Sequence, residues 1–528
     1  MIKIDIILSV GYTVEDIKAA LSEKLPIEKS EIREINILKK TLSVKAGAEI
    51  CYKLTVGASF SEEREAGLLK MKKKVSPVPD YSLDIPIAKM KSRPVIVGSG
   101  PAGLFAALVL SEAGARPIIL ERGLSVDERT IRVNEFILSG RLDTECNIQF
   151  GEGGAGTYSD GKLKTGSMDN VKHYVLSAFA LAGGDGEIMY SSSAHLGTDK
   201  LAGIIKSLRL KMLSLGADFI FGAKMTDFTQ RNGKICSVEY EKNGERITLE
   251  TQRLILATGH SAHDVFGLLE SKGVPMQAKG FGIGVRVEHP REYIDELVYG
   301  KNHDSRLESA SYHLVTHLSN ARSVYSFCMC PGGSVVAATS SEGRVVTNGM
   351  SEHARMAENS NAAILVSVTP DDFDSDMPLA GIEYQRKIEK AAFSVGGGGY
   401  TAPSQRLCDL YTDAPVGEWG GVLPSYPRGV SKIKTERYLP DFITESLKAG
   451  FTEFDKWMPG YALDDAVLTG AETRSTSPVR VLRDEGYEAV SVSGLYPIGE
   501  GAGYAGGIIS SAADGVRCAL LILKRQDL

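Results

Sequence analysis

VIVGSGPAGLFAALVLSEAGARPIILERG, residues 95–123, decides the fold. Residues 94–97 read as a short strand. Gly98, Gly100 and Gly103 follow at G-x-G-x-x-G spacing, and a helical run through Ala106, Ala107 and Leu110 opens behind them. In that pattern the first glycine makes a tight turn, the second lets a pyrophosphate approach the backbone, and the third lets the helix pack on the strand. The helix N-terminus offers free N–H groups and a partial positive charge to phosphates. Gly114 ends the helix, and residues 117–120 read as a second strand. Glu121 closes that strand about 20 residues beyond the glycines, where an acid takes ribose hydroxyls and disfavours a 2′-phosphate. Strand, glycine turn, helix, strand and terminal acid together predict a dinucleotide site. Gly98, Gly100, Pro101, Ala102, Gly103, Glu121 and Arg122 are its expected contacts.

Working outward, two Asn-Gly pairs, Asn232-Gly233 and Asn243-Gly244, punctuate alternating runs and predict a three-stranded meander feeding a buried strand at 254–257. Ala257-Thr258-Gly259 ends that strand. Gly499-Glu500 follows another at 494–498, and Gly506, Gly507 and Ile508 start the last helix. This order and these contexts resemble the glutathione-reductase-type FAD fold. The resemblance implies that Glu500 binds the ribityl chain and that the glycine-led helix faces the flavin pyrimidine. A helix N-terminus there stabilises the negative charge of a reduced flavin. The segment GEGGAGTYSDGKLKTG, 151–166, supplies Gly153, Gly154 and Gly156, whose backbone can cradle the pyrophosphate or line the flavin. The expected cofactor is therefore FAD.

Several segments resemble a bacterial family of uncharacterised FAD-dependent dehydrogenases: FGEGGAGTYSDGKL (150–163), HLGTDKL (195–201), GHSAHD (259–264), GIGVRVEHP (282–290), FCMCPGG (327–333), ETRSTSPVR (472–480) and GEGAGYAGGI (499–508). The resemblance covers nearly the whole chain. It implies an FAD-binding fold and an oxidoreductase, and it names no substrate. His263 stands where the family pattern leads one to expect arginine, so no role is assigned to it.

The fold class expected is α/β: a Rossmann-like FAD-binding domain of the glutathione-reductase type, an inserted α+β substrate domain, and an N-terminal ferredoxin-like βαββ domain. At the N-terminus Ile2, Ile4, Ile6, Leu8 and Val10 alternate with mostly polar residues as in a half-buried strand. Thr13 and Asp16 form a capping box for a helix carrying Val14, Ile17, Leu21 and Leu25, and strand-like runs follow at 35–44 and 50–56. The expected organisation is an N-terminal domain at 1–70, a helix end with the lysine run 70–74 and a Pro-rich linker at 71–92, a first FAD-binding part at 93–274, a substrate or cap domain at 275–465, and a last FAD-binding part at 466–528. GGGGYTAPSQ, 396–405, reads as a flexible loop.

The chain has 528 residues, 43% hydrophobic and 24% charged, with a net charge of −6. That balance gives no electrostatic reason to bind nucleic acid or an anionic membrane. Seven cysteines in this length make no disulfide framework and fit a reducing cytoplasm. The histidines are too scattered for a metal ligand set, so no metal is expected. The expected partners are a small organic substrate and an external electron donor or acceptor.

The catalytic candidates are Lys162, Cys330 and Arg474. Lys162 is a candidate beside flavin N5, or a solvated lysine. Cys328 and Cys330, two apart on an expected strand, would face one side, as small buried hydrophobes or as substrate-side thiols. Pro331-Gly332-Gly333 beside them allows close backbone approach. Arg474 and Arg480 could bind a carboxylate or phosphate; the alternative is a structural salt bridge, for instance with Glu472. His260 reads as a packed, hydrogen-bonded histidine or a cofactor contact. Two other functions remain open at this point: an NAD-binding transferase resembling thiazole synthase, and a flavin-bound binding protein.

Overall fold

The computed structural model describes residues 1–44, 49–71, 75–164 and 166–525. The chain opens with β1 (Ile2–Ser9), α1 (Val14–Lys24), β2 (Glu34–Ser43), β3 (Cys51–Ser59), α2 (Glu62–Leu69) and β4 (Ser76–Pro77). The strands form a sheet of order β2-β3-β1-β4 with antiparallel neighbours. Thr13 and Asp16 make the expected capping box. Ile17 and Leu21 are buried, whereas Val14, at the first helical position, points to solvent. Ser76 and Pro77 pair with Lys3 and Ile2, so this sheet takes a strand from beyond residue 70. Of the lysine run, residues 72–74 lie outside the described residues.

The stretch expected as a linker is a strap. Leu83, Ile85, Ala88 and Met90 pack on the core of the next unit, and the Ala88 N–H donates to the Ala113 carbonyl at 2.8 Å.

Next come β5 (Val95–Val97), α3 (Pro101–Glu112), β6 (Ile118–Glu121), α4 (Val126–Ser139), α5 (Asn170–Leu181), α6 (Thr198–Ser214), β7 (Asp218–Phe221), β8 (Lys224–Arg231), β9 (Lys234–Lys242), β10 (Glu245–Glu250), β11 (Leu254–Leu256) and α7 (His263–Ser271). β8, β9 and β10 are the expected meander. Asn232, Gly233, Asn243 and Gly244 all have positive φ, as primed hairpin turns require.

A long insertion follows: β12 (Met276–Ala278), β13 (Phe281–Pro290), α8 (Arg291–Tyr299), β14 (Val315–His317), β15 (Ser323–Cys330), β16 (Gly333–Ala337), β17 (Thr347–Ser351), β18 (Asn359–Val368), α9 (Ala380–Val395), β19 (Ala402–Arg406), β20 (Val430–Lys432), α10 (Asp441–Trp457) and β21 (Val467–Glu472). The chain ends with β22 (Val479–Val481), β23 (Leu495–Pro497) and α11 (Ile508–Lys524).

A parallel sheet of order β23-β11-β5-β6-β7 carries α3, α6 and α11 on one face and the meander on the other. α3 is apolar all round and buried from Ala102 to Ser111, the pattern of a helix enclosed on every side. It meets α11 closely, since a Cβ on Gly515 would lie 2.1 Å from the Ala102 carbonyl.

The insertion builds a seven-stranded sheet of order β14-β15-β18-β13-β21-β19-β20. β13 is buried along nearly its whole length, and Leu447, Phe451 and Phe454 of α10 share its core with Ile283, Val285, Ile364 and Val366. β21, at 467–472, lies between β13 and β19, so this sheet reaches past the expected limit at 465. Residues 402–405, part of the stretch read from sequence as loop, belong to strand β19. No helix among the described residues is long and apolar enough to cross a membrane.

Candidate active site

Because the sheet β23-β11-β5-β6-β7 is parallel, β5, β6, β11 and β23 end on one side, and their turns open on a single cavity of about 1550 Å3, mouth included. This is the crevice at the carboxyl ends of the strands where ligands of open α/β sheets bind. Gly98, Gly100, Pro101 and Ala102 line it after β5, Glu121 and Arg122 after β6, Ala257, Thr258 and Gly259 after β11, and Gly499 and Glu500 after β23. Gly154 and Gly156 join from the glycine-rich loop, and Gly507 and Ile508 from the start of α11. Segments that are far apart in sequence thus converge on one space.

Three expected contacts are not part of this lining. A Cβ on Gly103 would sit 1.9 Å from the Gly98 carbonyl, so this glycine serves helix–strand packing. Gly153 donates its N–H to the Ser99 carbonyl at 2.9 Å, and Gly506 donates to Ser510 Oγ at 3.1 Å.

The cavity suits a dinucleotide with a pyrophosphate. α3 and α11 both start there from glycine N-caps, Gly100 and Gly507, without a side-chain capping bond, so their first N–H groups are left for a ligand. A Cβ on Gly100 would find only the Gly154 Cα within 4 Å, at 3.7 Å, so the space above the glycine is open. His260 also lines the cavity, its Nδ1 3.5 Å from Glu500 Oε1 and its buried Nε2 without a protein partner.

Glu121 does something the sequence pattern does not reveal. Its Oε2 accepts from the Ser99 N–H and hydroxyl at 2.9 and 2.7 Å, and its Oε1 from the Gly123 and Gly151 N–H groups at 2.9 and 3.1 Å. Those four bonds use the carboxylate's acceptor sites, so here the acid ties three loops together rather than standing free for a ribose. Arg122, beside it, makes a two-point bond to Asp264 and lies over the Phe150 ring.

The glycine-rich loop is held from behind by Arg129, a fully buried residue that sequence reading passed over. Its guanidinium donates to the carbonyls of Asn147, Ile148, Glu152 and Gly154 at 2.7–2.9 Å. One planar fork thereby binds four carbonyls of residues 147–154, a stretch that belongs to no strand or helix.

The inserted sheet closes another wall with Phe327, Cys328, Asn348 and Glu472, beside Asp160 and Lys162. Arg286, fully buried, bonds both oxygens of Glu472 at 3.0 and 3.1 Å and also donates to Asn348, Asn361 and the Cys328 carbonyl. Burial raises the Glu472 carboxyl and the arginine opposes this; the net remains upward. Lys162 Nζ lies 3.7 Å from Asp160 Oδ2, and Arg355 grips both Asp160 oxygens at 2.6 and 2.9 Å. Burial alone would raise Asp160, but the charges of Lys162 and Arg355 outweigh it and hold the carboxyl below its ordinary value.

Two catalytic candidates are corrected. Cys330 is fully buried and does not line the cavity; Cys328 does. The expectation of a regular strand fails because β15 shifts register between Phe327 and Cys330, with Cys328 at φ +41°. Arg474 lines the cavity but has its donors occupied: two run to Glu389 at 2.9 Å each, and Nη1 reaches Ser261 and Ser340. Its partner is Glu389 and not Glu472. Arg480 lies over the Tyr504 ring outside this lining. Gly332 packs on the Arg355 carbonyl, where a Cβ would sit 1.7 Å away, so its close approach serves the protein's own backbone.

A second cavity lies beyond the Asp160–Arg355 pair. Arg355, His195, His353, Arg291 and Glu187 are among its lining residues, and Glu187 bonds Lys40 of the N-terminal sheet at 2.6 Å.

Comparison with known proteins places two family models on the chain. One, described as "FAD-dependent protein, C-terminal domain-like", matches residues 280–475, and one described as "Pyridine nucleotide-disulphide oxidoreductase" matches residues 92–287. A protein of Clostridium beijerinckii described as "Uncharacterized protein" is 44% identical over 527 residues, 99% of this chain and 98% of its own length. Among solved structures, the flavin-dependent brominase Bmp2 is similar at 11% identity over 82% of this chain and 79% of its own, with a TM-score of 0.37. A geranylgeranyl bacteriochlorophyll reductase-like protein of Thermoplasma acidophilum is similar at 11% identity over 82% and 78%, with a TM-score of 0.36.

Proposed function

Since the chain belongs to a bacterial family of FAD-dependent oxidoreductases, with FAD as its cofactor, we propose that it catalyses hydride transfer between the flavin and a small organic substrate held against the inserted sheet. The observation that carries this reading is that one cavity is lined both by the nucleotide-binding turns and by Phe327, Cys328, Asn348 and Glu472 of the insertion. The bound flavin supplies the two-electron chemistry; the protein supplies position, charge and exclusion of water.

Each part has a stated task. The N-termini of α3 and α11 would hold the pyrophosphate and the flavin, their partial positive charge favouring the reduced cofactor's negative charge. Glu500, beside His260, would bond the ribityl hydroxyls. Lys162, partly buried, is a cation of the substrate wall, and its Nζ donates or accepts the proton that accompanies hydride transfer. Asp160, locked by Arg355, keeps Lys162 oriented. Arg474, tied to Glu389, positions Ser261 and Ser340. The external donor or acceptor docks at the cavity mouth. The split order β2-β3-β1-β4 supports a ferredoxin-like reading of the N-terminal domain, and the glycine-led α11 supports the glutathione-reductase-type reading of the FAD fold.

The test is anaerobic mixing of the purified protein with NADH, NADPH and a panel of alcohol, amine and enoate compounds, followed at the flavin's visible band. At least one organic compound should bleach or restore the band. Lys162→Met should slow that step by about 100-fold or more, the usual worth of a general acid–base group. A band that responds to none of the panel, or equal rates in Lys162→Met, would contradict the proposal.

A further inference from the structure

We infer that Cys328 and Cys330 are a redox-active dithiol that exchanges two electrons with the bound FAD. This rests on FAD occupying the cavity and is independent of which organic substrate the enzyme uses.

Four features of the structure meet at the pair. Cys328 lines the cavity, half-buried, whereas Cys330 is fully buried directly behind it. The Cys330 thiol donates to the Cys328 carbonyl at 3.3 Å. An unbroken strand would set Cα atoms two residues apart at about 6.4–6.8 Å, the far edge of what a disulfide spans. The register shift between Phe327 and Cys330 and the left-handed backbone of Cys328 depart from that extended geometry. A non-glycine residue at φ +41° is strained, and such strain persists where surrounding structure enforces it; here Arg286 Nη1 anchors the Cys328 carbonyl at 2.8 Å.

The charges around the pair suit a nucleophilic sulfur. The hydrogen bond from Cys330 lowers the Cys328 thiol first, burial opposes it, and Arg286 and Lys162 lower it further, to about 5. The same bond and burial hold Cys330 high. Of the two sulfurs the outer one is therefore the more readily ionised. Both cysteines are free in the structure.

In the oxidative direction the Cys328–Cys330 S–S bond forms, the two thiols lose two protons and two electrons, and FAD takes both to become FADH2. In the other direction FADH2 returns them and the S–S bond breaks. Because Cys330 is shielded from solvent, oxidants in solution reach the pair only through Cys328.

The test uses the full-length holoprotein. It is reduced with dithiothreitol, freed of reductant anaerobically, mixed with ferricyanide to keep the flavin oxidised, quenched in acid, unfolded and labelled with a maleimide. In the wild type both cysteines should lose their label together and the peptide spanning 328–330 should be lighter by two hydrogens. Cys330→Ala should keep Cys328 labelled. Iodoacetamide modification of Cys328 in the folded wild type should show a midpoint well below the usual thiol value of about 8.5, shifted upward in Cys330→Ala. Full labelling of both cysteines in protein whose flavin is oxidised would overturn the inference. Modification of Cys328 with an ordinary thiol midpoint in both proteins would do the same. Failure of the thiol readout in protein that still oxidises or reduces an organic compound would leave the hydride-transfer reading standing and remove only the dithiol.

Discussion

Arg286 and Glu472 face each other on adjacent strands with both carboxylate oxygens bonded, and neither side chain is more than 3% exposed. A charged pair removed from water is costly unless every donor is used. Here the remaining guanidinium donors reach Asn348, Asn361 and the Cys328 carbonyl, and Thr347 donates to Glu472 Oε2 at 3.1 Å. The pair therefore joins the middle of the inserted sheet to the cavity wall.

Removing one partner strands the other charge. Glu472→Gln and Arg286→Met should each destabilise the protein by about 3–5 kcal/mol, read from urea unfolding, with the double variant less affected than the sum of the two. Additive losses would show that the two residues act separately.

Gly100 and Gly103 differ by three positions and in what surrounds them. Gly100→Ala should fold with a near-normal melting temperature without ligand, because its Cβ meets nothing closer than 3.7 Å, yet hold FAD more weakly by crowding the pyrophosphate. Gly103→Ala should fail to fold, because its Cβ would sit 1.9 Å from the Gly98 carbonyl. Thermal denaturation and flavin content of the two purified variants check both outcomes.

The described lining of the main cavity begins at Val97, so the N-terminal sheet contributes nothing to it. A chain beginning at Pro79 should keep its flavin. A chain beginning at Lys91 also loses Leu83, Ile85, Ala88 and Met90 from the core, which at ~25 cal/mol per Å2 of apolar surface amounts to a loss on the order of 3–5 kcal/mol. Comparing flavin content and urea midpoints of the two truncations separates cofactor binding from packing.

His289 is fully buried, its Nε2 2.8 Å from the Tyr461 carbonyl, and burial lowers its pKa to about 4. The unfolded chain, with a histidine near 6.5, binds the proton more readily than the native protein does between those values. Stability should therefore be full above pH 6.5 and fall as pH drops toward 4, by roughly 3 kcal/mol in total. His289→Gln should flatten that part of the pH–stability curve; an unchanged slope would assign the loss to other groups.

What was legible in the sequence was what is local. The turn after β5, the Asn-Gly meander and the capping box at Thr13 each occupy a few consecutive residues whose types demand that geometry. The converging glycines after β11 and β23 were legible through their order along the chain. The insertion was less so, because β13, β18 and β21 are buried on both faces and show no alternation, and β21 arrives after more than 150 intervening residues. Arg474 was paired by proximity in sequence with Glu472, whereas its partner Glu389 is 85 residues away. Asp160 and Arg355 meet across 195 residues, and no local signal announces them. The Cys328 bulge reversed an argument that assumed strict strand alternation. Glu121 stands at the position the fingerprint predicts, but its bonds are to the protein's own loops.

The most direct measurement is the visible spectrum of the full-length protein as purified, with identification of the nucleotide released by heat. The convergence of Gly98–Ala102, Ala257–Gly259 and the Gly499–Ile508 region on one cavity predicts a yellow protein that yields one FAD per chain, free in solution. A colourless protein that cannot be reconstituted with FAD and instead binds NAD tightly would contradict the account.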